Sequence, residues 1–429
     1  MAGVSRLPGP EDLETDAILS LLGCADRVGV ECLGMSRAGR RIPLLTIGDG
    51  PSSALIVGAP HPNEPTGCLT ILRMLDRLAK EPVPGWQWHF IPAIDIDGLA
   101  LNEGWFSDSP DLETYLAHFY RPPFRLQPEY GFPIELPGYE FSAETPETRC
   151  WRAALDIAQP RLQCSLHGAD TGGSFFILST EAPELAAELA GLPSRFGFSL
   201  NEIGEPLAEM TTHRPGVFSF PDVAQILARG QQTEAASGWN AGDSSAGFAA
   251  RRLGTFSMSC EVPLWRDARE GDSSPSGRWM SEVIDERVQH LRQDLALVAE
   301  SLPALNPRVG TLEQRALVES LEDSVSTGAG VLCALQAVRP RGLDDRELSK
   351  SELVAFEGGT YGLRVPAMLA RLAKAVDDVA VDRFARALLE ERLAAHRRST
   401  RLTPVSLPRA AELQMHAVQA AASYLSDRV

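Results

Sequence analysis

Short apolar runs alternate with amphipathic helical segments over most of the N-terminal part of the chain, and this alternation limits the possible folds most strongly. The strand-like runs are residues 54–58, 87–93, 162–166, 175–179 and 255–262. Helical periodicity marks residues 66–79, 183–190 and 282–302. This order predicts a mixed α/β sheet with helices on both faces. Such sheets bind ligands at strand ends, so polar side chains at those ends are the candidate site residues.

Two of these runs lead into a histidine. His61 and Glu64 follow the run at 54–58, and His167 follows the run at 162–166. Imidazole nitrogen and carboxylate oxygen suit Zn²⁺, and three protein ligands leave one position open for water. Water in that position has a pKa of about 7, which makes it a nucleophile at neutral pH. We therefore predict one zinc ion per chain, bound by these three residues. Alone, His-x-x-Glu is equally typical of a solvated turn before a helix.

The run at 255–262 contains one carboxylate, Glu261, among apolar and small residues. An edge-strand glutamate that faces solvent is the ordinary interpretation. Beside a zinc site, Glu261 would instead act as a general base and pass the proton to the leaving amine.

The chain resembles the zinc carboxypeptidases of the carboxypeptidase A clan over roughly residues 10–300. Besides the histidine segments, the resemblance rests on Met35-Ser36-Arg37-Ala38-Gly39-Arg40 and on Ile94-Asp95-Ile96-Asp97-Gly98. It implies a mixed, eight-stranded-type sheet. It also implies zinc ligands at His61, Glu64 and His167, with Glu261 as general acid/base. The implied reaction is hydrolysis of the C-terminal amide bond of a peptide or small amide.

Two features common in that family are missing. The chain has no Asn-Arg dipeptide, with which members hold the terminal carboxylate, and no tyrosine between Tyr139 and Tyr361. The resemblance is therefore to an atypical subgroup. Arg121 and Arg125 lie where the family places an arginine that steadies the carbonyl oxygen. Because a planar guanidinium suits this task, we predict Arg121 as catalytic and both as substrate-binding. Surface arginines in a proline-bounded loop are the alternative.

Further candidates flank the presumed site. Asp170 would orient a ligand or bind a cationic substrate end, and Gly172 permits a close backbone approach, although turn chemistry explains both equally well. Trp239, in a segment rich in Gly and Ser, is a candidate lid or a packed aromatic. Asp95 and Asp97 would orient His61 or form Asx turns.

Charge and cysteine content argue against several other classes of protein. The chain has 40 basic and 57 acidic residues, a net charge of −17, which argues against nucleic acid and anionic membranes as partners. Its seven cysteines are scattered without a C-x-x-C pair, as expected for reduced thiols. We find neither a signal segment nor an apolar run of about 18 residues, so we expect a cytoplasmic protein.

The pattern changes near Asn306. We predict a catalytic domain over 1–305 and a helical region over 306–429, with a capping box at Thr311-Leu312-Glu313-Gln314 and helical stretches at 367–397 and 409–428. This region would pack on the catalytic domain, form a homo-oligomer or narrow substrate access.

Three functions remain open from the sequence. A zinc metallocarboxypeptidase is the leading one. The alternative is a zinc deacylase of the succinylglutamate desuccinylase or aspartoacylase type, acting on a small N-acyl amino acid. A binding module with a lapsed site is the third, and the complete set of ligands with Glu261 argues against it.

Overall fold

The structure is a computed structural model that describes residues 6–23, 27–205, 210–220, 222–230, 240–340, 342–357 and 359–428. Its strands are β1 Gly29–Met35, β2 Arg41–Ile47, β3 Ser52–Gly58, β4 Trp86–Ile91, β5 Ile134–Leu136, β6 Tyr139–Phe141, β7 Leu162–Ala169, β8 Phe175–Leu178, β9 Thr212–Arg214, β10 Val217–Ser219, β11 Phe256–Pro263, β12 Trp265–Asp267, β13 Pro275–Trp279, β14 Glu347–Ser349 and β15 Leu402–Pro404. Its helices are α1 Thr15–Leu22, α2 Thr66–Lys80, α3 Ile96–Asn102, α4 Leu112–His118, α5 Pro146–Ala158, α6 Pro183–Phe196, α7 Val223–Gly230, α8 Ser245–Leu253, α9 Met280–Leu305, α10 Leu312–Val338, α11 Lys350–Glu357, α12 Tyr361–Ala375, α13 Val379–Ser399 and α14 Leu407–Ser426.

Nine of the described strands form one mixed sheet in the order β1-β2-β4-β3-β7-β11-β8-β10-β9. Strands β4, β3, β7 and β11 run parallel at its centre, and antiparallel pairs flank them. This confirms the predicted α/β class, with nine strands where eight were expected. The central strands are almost continuously apolar because both of their faces are covered.

Helices cover the two faces of the sheet. Gln163 of β7 accepts a hydrogen bond from Trp151 of α5 and donates weakly to Ser245 of α8. Leu166, three residues further along β7, points to the opposite face and lies against α2 at Gly67, where a Cβ atom would meet it at 2.7 Å. Successive strand residues face opposite sides, so α5 and α8 lie on one face and α2 on the other.

The last helix is part of this main core. Apolar residues of α14 are buried in the same cluster as the central strands, and α14 contacts α2, α6, β7 and β11. A second core joins α4 to α9, α10, α12 and α13. The division at residues 305 and 306 stays a prediction. Because α14 buries its apolar face within the chain, these contacts give no support to the predicted oligomer.

Local signals explain the helix boundaries. The predicted capping box is confirmed, since the Thr311 hydroxyl accepts from the Gln314 amide and the Gln314 side chain accepts from the Thr311 amide, both at 3.1 Å. The predicted stretch 367–397 is interrupted, because Asp377 has a φ of 56° and Asp378 caps α13. Residues 105–150 are rich in proline and aromatic residues and lack periodicity, a pattern typical of long loops. They nevertheless contain helix α4, which Asp111 caps by accepting from the Thr114 amide. None of the described helices has the length and apolar character needed to cross a membrane.

Candidate metal centre

Three neighbouring parallel strands bring the predicted residues together at their carboxyl ends. His61 and Glu64 lie in the turn after β3, His167 is in β7, and Glu261 of β11 pairs in register with His167. All four side chains are buried. The turn begins at Ala59, whose φ of 44° is in the left-handed region that residues other than glycine rarely adopt. Backbone conformations of this kind often occur at functional sites.

The carboxylate of Glu64 lies between the two histidines. Its Oε2 is 3.1 Å from Nδ1 of His61, 3.0 Å from Nδ1 of His167 and 3.2 Å from the Gly168 amide nitrogen. Its Oε1 accepts a 3.0 Å hydrogen bond from Arg121. Burial alone would raise the pKa of Glu64, but His61, His167 and Arg121 outweigh it and hold that pKa well below its usual value.

A second carboxylate, Glu129, lies on the opposite side of the imidazole rings. Its Oε2 is 3.0 Å from Nε2 of His167 and 3.8 Å from Nε2 of His61. No pattern in the sequence predicted Glu129. It belongs to a short 3-10 turn, Pro128–Tyr130, within an aperiodic segment, so no spacing marked it. Its only sequence signal is a carboxylate among prolines and aromatic residues.

The donor set fits a zinc ion in two alternative ways. His61, Glu129 and His167 can place their ligand atoms within 4.8 Å of one another, and so can Glu64, His167 and Glu261. In addition, Nε2 of His61 and Oε2 of Glu129 are buried and have no well-aligned hydrogen-bond partner in the described part of the chain. Buried polar atoms normally have partners, so these two atoms favour the first group, which contains Glu129. Imidazole and carboxylate donors are those that zinc prefers.

The predicted set of His61, Glu64 and His167 is brought together but is not one of these two compact groups. It therefore stays a prediction. Glu261 lies beside it, with Oε1 at 3.8 Å from Nδ1 of His167 and at 3.4 Å from the Ser259 hydroxyl. Burial raises the pKa of Glu261 to about 8, against the effect of His167.

Of the two predicted arginines, the structure brings one to the cluster. Arg121 contacts Glu64 and is half-buried, and its carbonyl accepts a 2.6 Å hydrogen bond from Ser320 of α10. Arg125 is exposed, and it lies near Asp323 of α10, where burial raises the pKa of the carboxyl and the charge of Arg125 partly opposes that shift. A role of Arg125 in substrate binding therefore has no support from these contacts.

The other candidates have structural partners or lie elsewhere. The Asp170 carboxylate accepts from Arg364, Tyr115 and Thr360, which leaves it little capacity for a cationic substrate. Gly172 has a φ of 96°, and its amide donates to Glu270. Trp239 lies outside the described residues.

The two aspartates after β4 also have structural roles. Asp95 caps α3 by accepting from the Gly98 amide, and Asp97 accepts from Ser36 and Ala38. Among the described residues, no hydrogen bond joins either aspartate to His61. The Asx-type alternative therefore accounts for both.

A cavity of about 450 Å³ opens beside Glu64 of the candidate site. Glu64 and residues 168–171 line one side of it. Helices α9, α10, α11 and α12 line the other, so the C-terminal region forms half of the cavity wall. This observation agrees with the predicted role of narrowing substrate access.

No protein-family model matches the chain, and no curated protein is found to match it. Among solved structures, it is similar to a metallo-carboxypeptidase from Burkholderia cenocepacia, at 15% identity and a TM-score of 0.36, over 75% of this chain and 68% of that one. It is also similar to the carboxypeptidase A from Helicoverpa armigera, at 14% identity and a TM-score of 0.38, over 78% and 75%. Both similarities are distant, and membership of an atypical subgroup stays a prediction.

Proposed function

We propose that the chain is a zinc-dependent metallocarboxypeptidase that hydrolyses the C-terminal amide bond of a peptide or small amide. One observation carries the proposal: two buried histidines lie between two carboxylates, at strand ends that open onto a cavity. Zinc chemistry needs such donors, and a hydrolase needs them next to space for a substrate.

His61, Glu64 and His167 would hold the ion, and Glu129 would orient the rings. Glu64 faces the Nδ1 atoms and lines the cavity, whereas Glu129 faces the Nε2 atoms and does not line it. An ion on the Glu64 side is thus accessible to substrate. Glu129 would then accept from Nε2 of His167, since histidine ligands usually donate their second ring N–H to a carboxylate or carbonyl.

The remaining groups supply proton transfer and charge stabilisation. Zinc, when bound, would act as a Lewis acid and lower the pKa of water. Glu261, which lies beside His167, would accept a proton from the attacking water and return it to the leaving amine. The guanidinium of Arg121 lies beside Glu64. From this position it would stabilise the negative charge that develops on the carbonyl oxygen of the substrate.

The test combines metal analysis with a mixed peptide library analysed by mass spectrometry. We expect about one zinc per chain and single-residue losses from peptide C-termini, which disappear in Glu261→Gln. Glu184→Gln is the matched control, because Glu184 is exposed and Arg428 is its one ion-pair partner among the described residues. Bound zinc without the loss of any C-terminal residue from the peptides would contradict the proposed carboxypeptidase activity. Hydrolysis confined to N-acyl amino acids would establish the deacylase instead, which no contact of the described residues favours.

A further inference from the structure

The segment that carries Arg121 is stiffened by two consecutive prolines. Pro122 and Pro123 lie between α4 and the 3-10 turn Phe124–Leu126. Proline has a fixed φ of about −65° and no backbone N–H, so this stretch has few donors of its own. The carbonyl of Arg121 and the amide of Phe124 flank the two prolines. Because backbone polar groups that are shielded from water normally have partners, we expect both groups to bind another part of the chain.

One turn of helix α10 supplies both partners. The hydroxyl of Ser320 donates to the carbonyl of Arg121 at 2.6 Å. The carboxylate of Asp323 accepts from the amide of Phe124 at 2.9 Å. Ser320 is buried and Asp323 is half-buried. Residues three apart lie on the same face of a helix, so a single face of α10 holds the backbone on both sides of the two prolines.

The side chain of Arg121 extends from this anchored backbone to the candidate site. Its guanidinium donates to Oε1 of Glu64 at 3.0 Å and weakly to the side-chain oxygen of Gln127 at 3.5 Å. The amide of Gln127 in turn donates to the carbonyl of Pro122 at 3.2 Å. The place of the guanidinium therefore depends on where the proline segment is held. A misplacement of about 1 Å can lower a reaction rate about 100-fold, so this anchoring matters for the proposed reaction.

We propose that Ser320 and Asp323 are positioning residues for Arg121, which they hold through the backbone on either side of the two prolines. This inference rests on the proposed function and gives α10, in the helical C-terminal region, a part in that reaction. Loss of either bond leaves the stiff segment attached to α10 at one end, so the guanidinium moves away from Glu64. Because Arg121 would act on charge that develops in the transition state, the loss should appear in kcat rather than in KM.

The first test measures steady-state kinetics of the zinc-loaded protein on the library peptide that the parent cleaves fastest. Ser320→Ala and Asp323→Ala should each lower kcat about 10-fold and change KM less than about 2-fold, because the guanidinium is misplaced but still present. Asp323→Asn keeps an acceptor oxygen for the Phe124 amide and should retain most of kcat. Ser326→Ala is the matched control, because Ser326 is exposed and its hydroxyl donates to a carbonyl of α10 itself.

A double-mutant cycle separates positioning from general damage to the fold. If the two α10 residues act through Arg121, neither Ser320→Ala nor Asp323→Ala should lower kcat further in an Arg121→Met background. A second loss of about 10-fold in that background would overturn the inference, because the α10 residues would then act independently of the guanidinium. Far-ultraviolet circular dichroism verifies folding. If Arg121→Met does not fold, chemical modification of Arg121 in the single variants decides the matter.

Modification by phenylglyoxal requires no turnover and so separates this inference from the proposed function. Mass spectrometry measures the reaction rate of Arg121 relative to that of Arg292, an exposed arginine on α9. Arg121 should react several-fold faster in Ser320→Ala and Asp323→Ala than in the parent, because its guanidinium loses the bond to Glu64. Unchanged reactivity in both variants would overturn the inference. Faster modification in a protein that cleaves no peptide would keep the positioning of Arg121 by α10 and remove the proposed reaction.

Discussion

The guanidinium of Arg364 lies 2.9 Å from Oδ1 and 2.8 Å from Oδ2 of Asp170. Arg364 belongs to α12, whereas Asp170 immediately follows β7, the strand that contains His167. Both side chains are buried, and Tyr115 and Thr360 also bind the carboxylate. This ion pair fixes the C-terminal helices to the edge of the candidate metal centre.

Removing one partner of this pair should destabilise the protein strongly. Arg364→Met leaves the Asp170 carboxylate buried without its charge partner, which typically costs about 3–5 kcal/mol of unfolding free energy. The exposed pair of Arg428 and Glu184 is the matched control, and Arg428→Met should change stability by no more than about 1 kcal/mol. Urea denaturation of both variants measures the difference. Equally small changes in the unfolding free energy of the two variants would show that the buried Asp170 carboxylate does not need Arg364 as its charge partner.

Glu129→Gln should weaken zinc binding without abolishing it. If Glu129 orients the rings, its loss should lower zinc affinity about 10- to 100-fold, as for other carboxylates behind histidine ligands. Competition with a chromophoric chelator measures the dissociation constant. Unchanged affinity would remove Glu129 from the site. Complete loss of binding would make Glu129 a ligand itself, in the alternative group with His61 and His167.

The strand-end residues were predictable because their position follows from a local pattern. Apolar runs marked β3, β7 and β11, and polar residues next to such runs meet at one sheet edge. His61, Glu64, His167 and Glu261 therefore come together as the sequence indicated. Register, however, depends on pairing across the sheet and was not visible in the sequence.

The residues that were not predicted reach the site by packing between distant segments. Glu129 lies in a turn without periodicity, and the cavity beside the site is lined by helices α9, α10, α11 and α12, which reach it through tertiary contacts. For the same reason Asp170 appeared available for a substrate, because its partner Arg364 is 194 residues away in the chain. Spacing along the sequence carries no information on such pairs.

Stability should fall as the pH rises from about 4 to about 7, in part because of Asp95. Burial raises the pKa of this side chain to about 7, and Glu147 and Asp97 add to the shift. In this window the folded protein keeps a proton that the unfolded chain releases, so ionisation favours unfolding. Asp95→Asn keeps an oxygen to cap α3 and removes the titration. Thermal unfolding at several pH values in this range measures the effect. The free energy of unfolding of the variant should fall by roughly 1–3 kcal/mol less than that of the parent protein. Parallel profiles would contradict the raised pKa.

The C-terminal helix should be necessary for a competent metal site, because Gln414 of α14 supports the strands beneath it. This fully buried amide donates to the carbonyls of His167, at 2.8 Å, and Cys260, at 3.1 Å, and accepts from Thr70, at 2.6 Å. Its bonds thus end on the site residue His167, next to the site residue Glu261, and on the helix that follows Glu64.

Gln414→Leu removes these three bonds and leaves buried polar groups unpaired, so we expect about 2–4 kcal/mol of destabilisation and a weaker zinc affinity. Glu412→Gln, on the same helix but forming only a partly exposed pair with Arg73, should change neither quantity appreciably. Urea denaturation measures the free energy of unfolding, and zinc titration measures the affinity. Lower stability with unchanged zinc affinity would mean that α14 supports the fold alone, because the strands would then hold His167 and Glu261 in place without the amide.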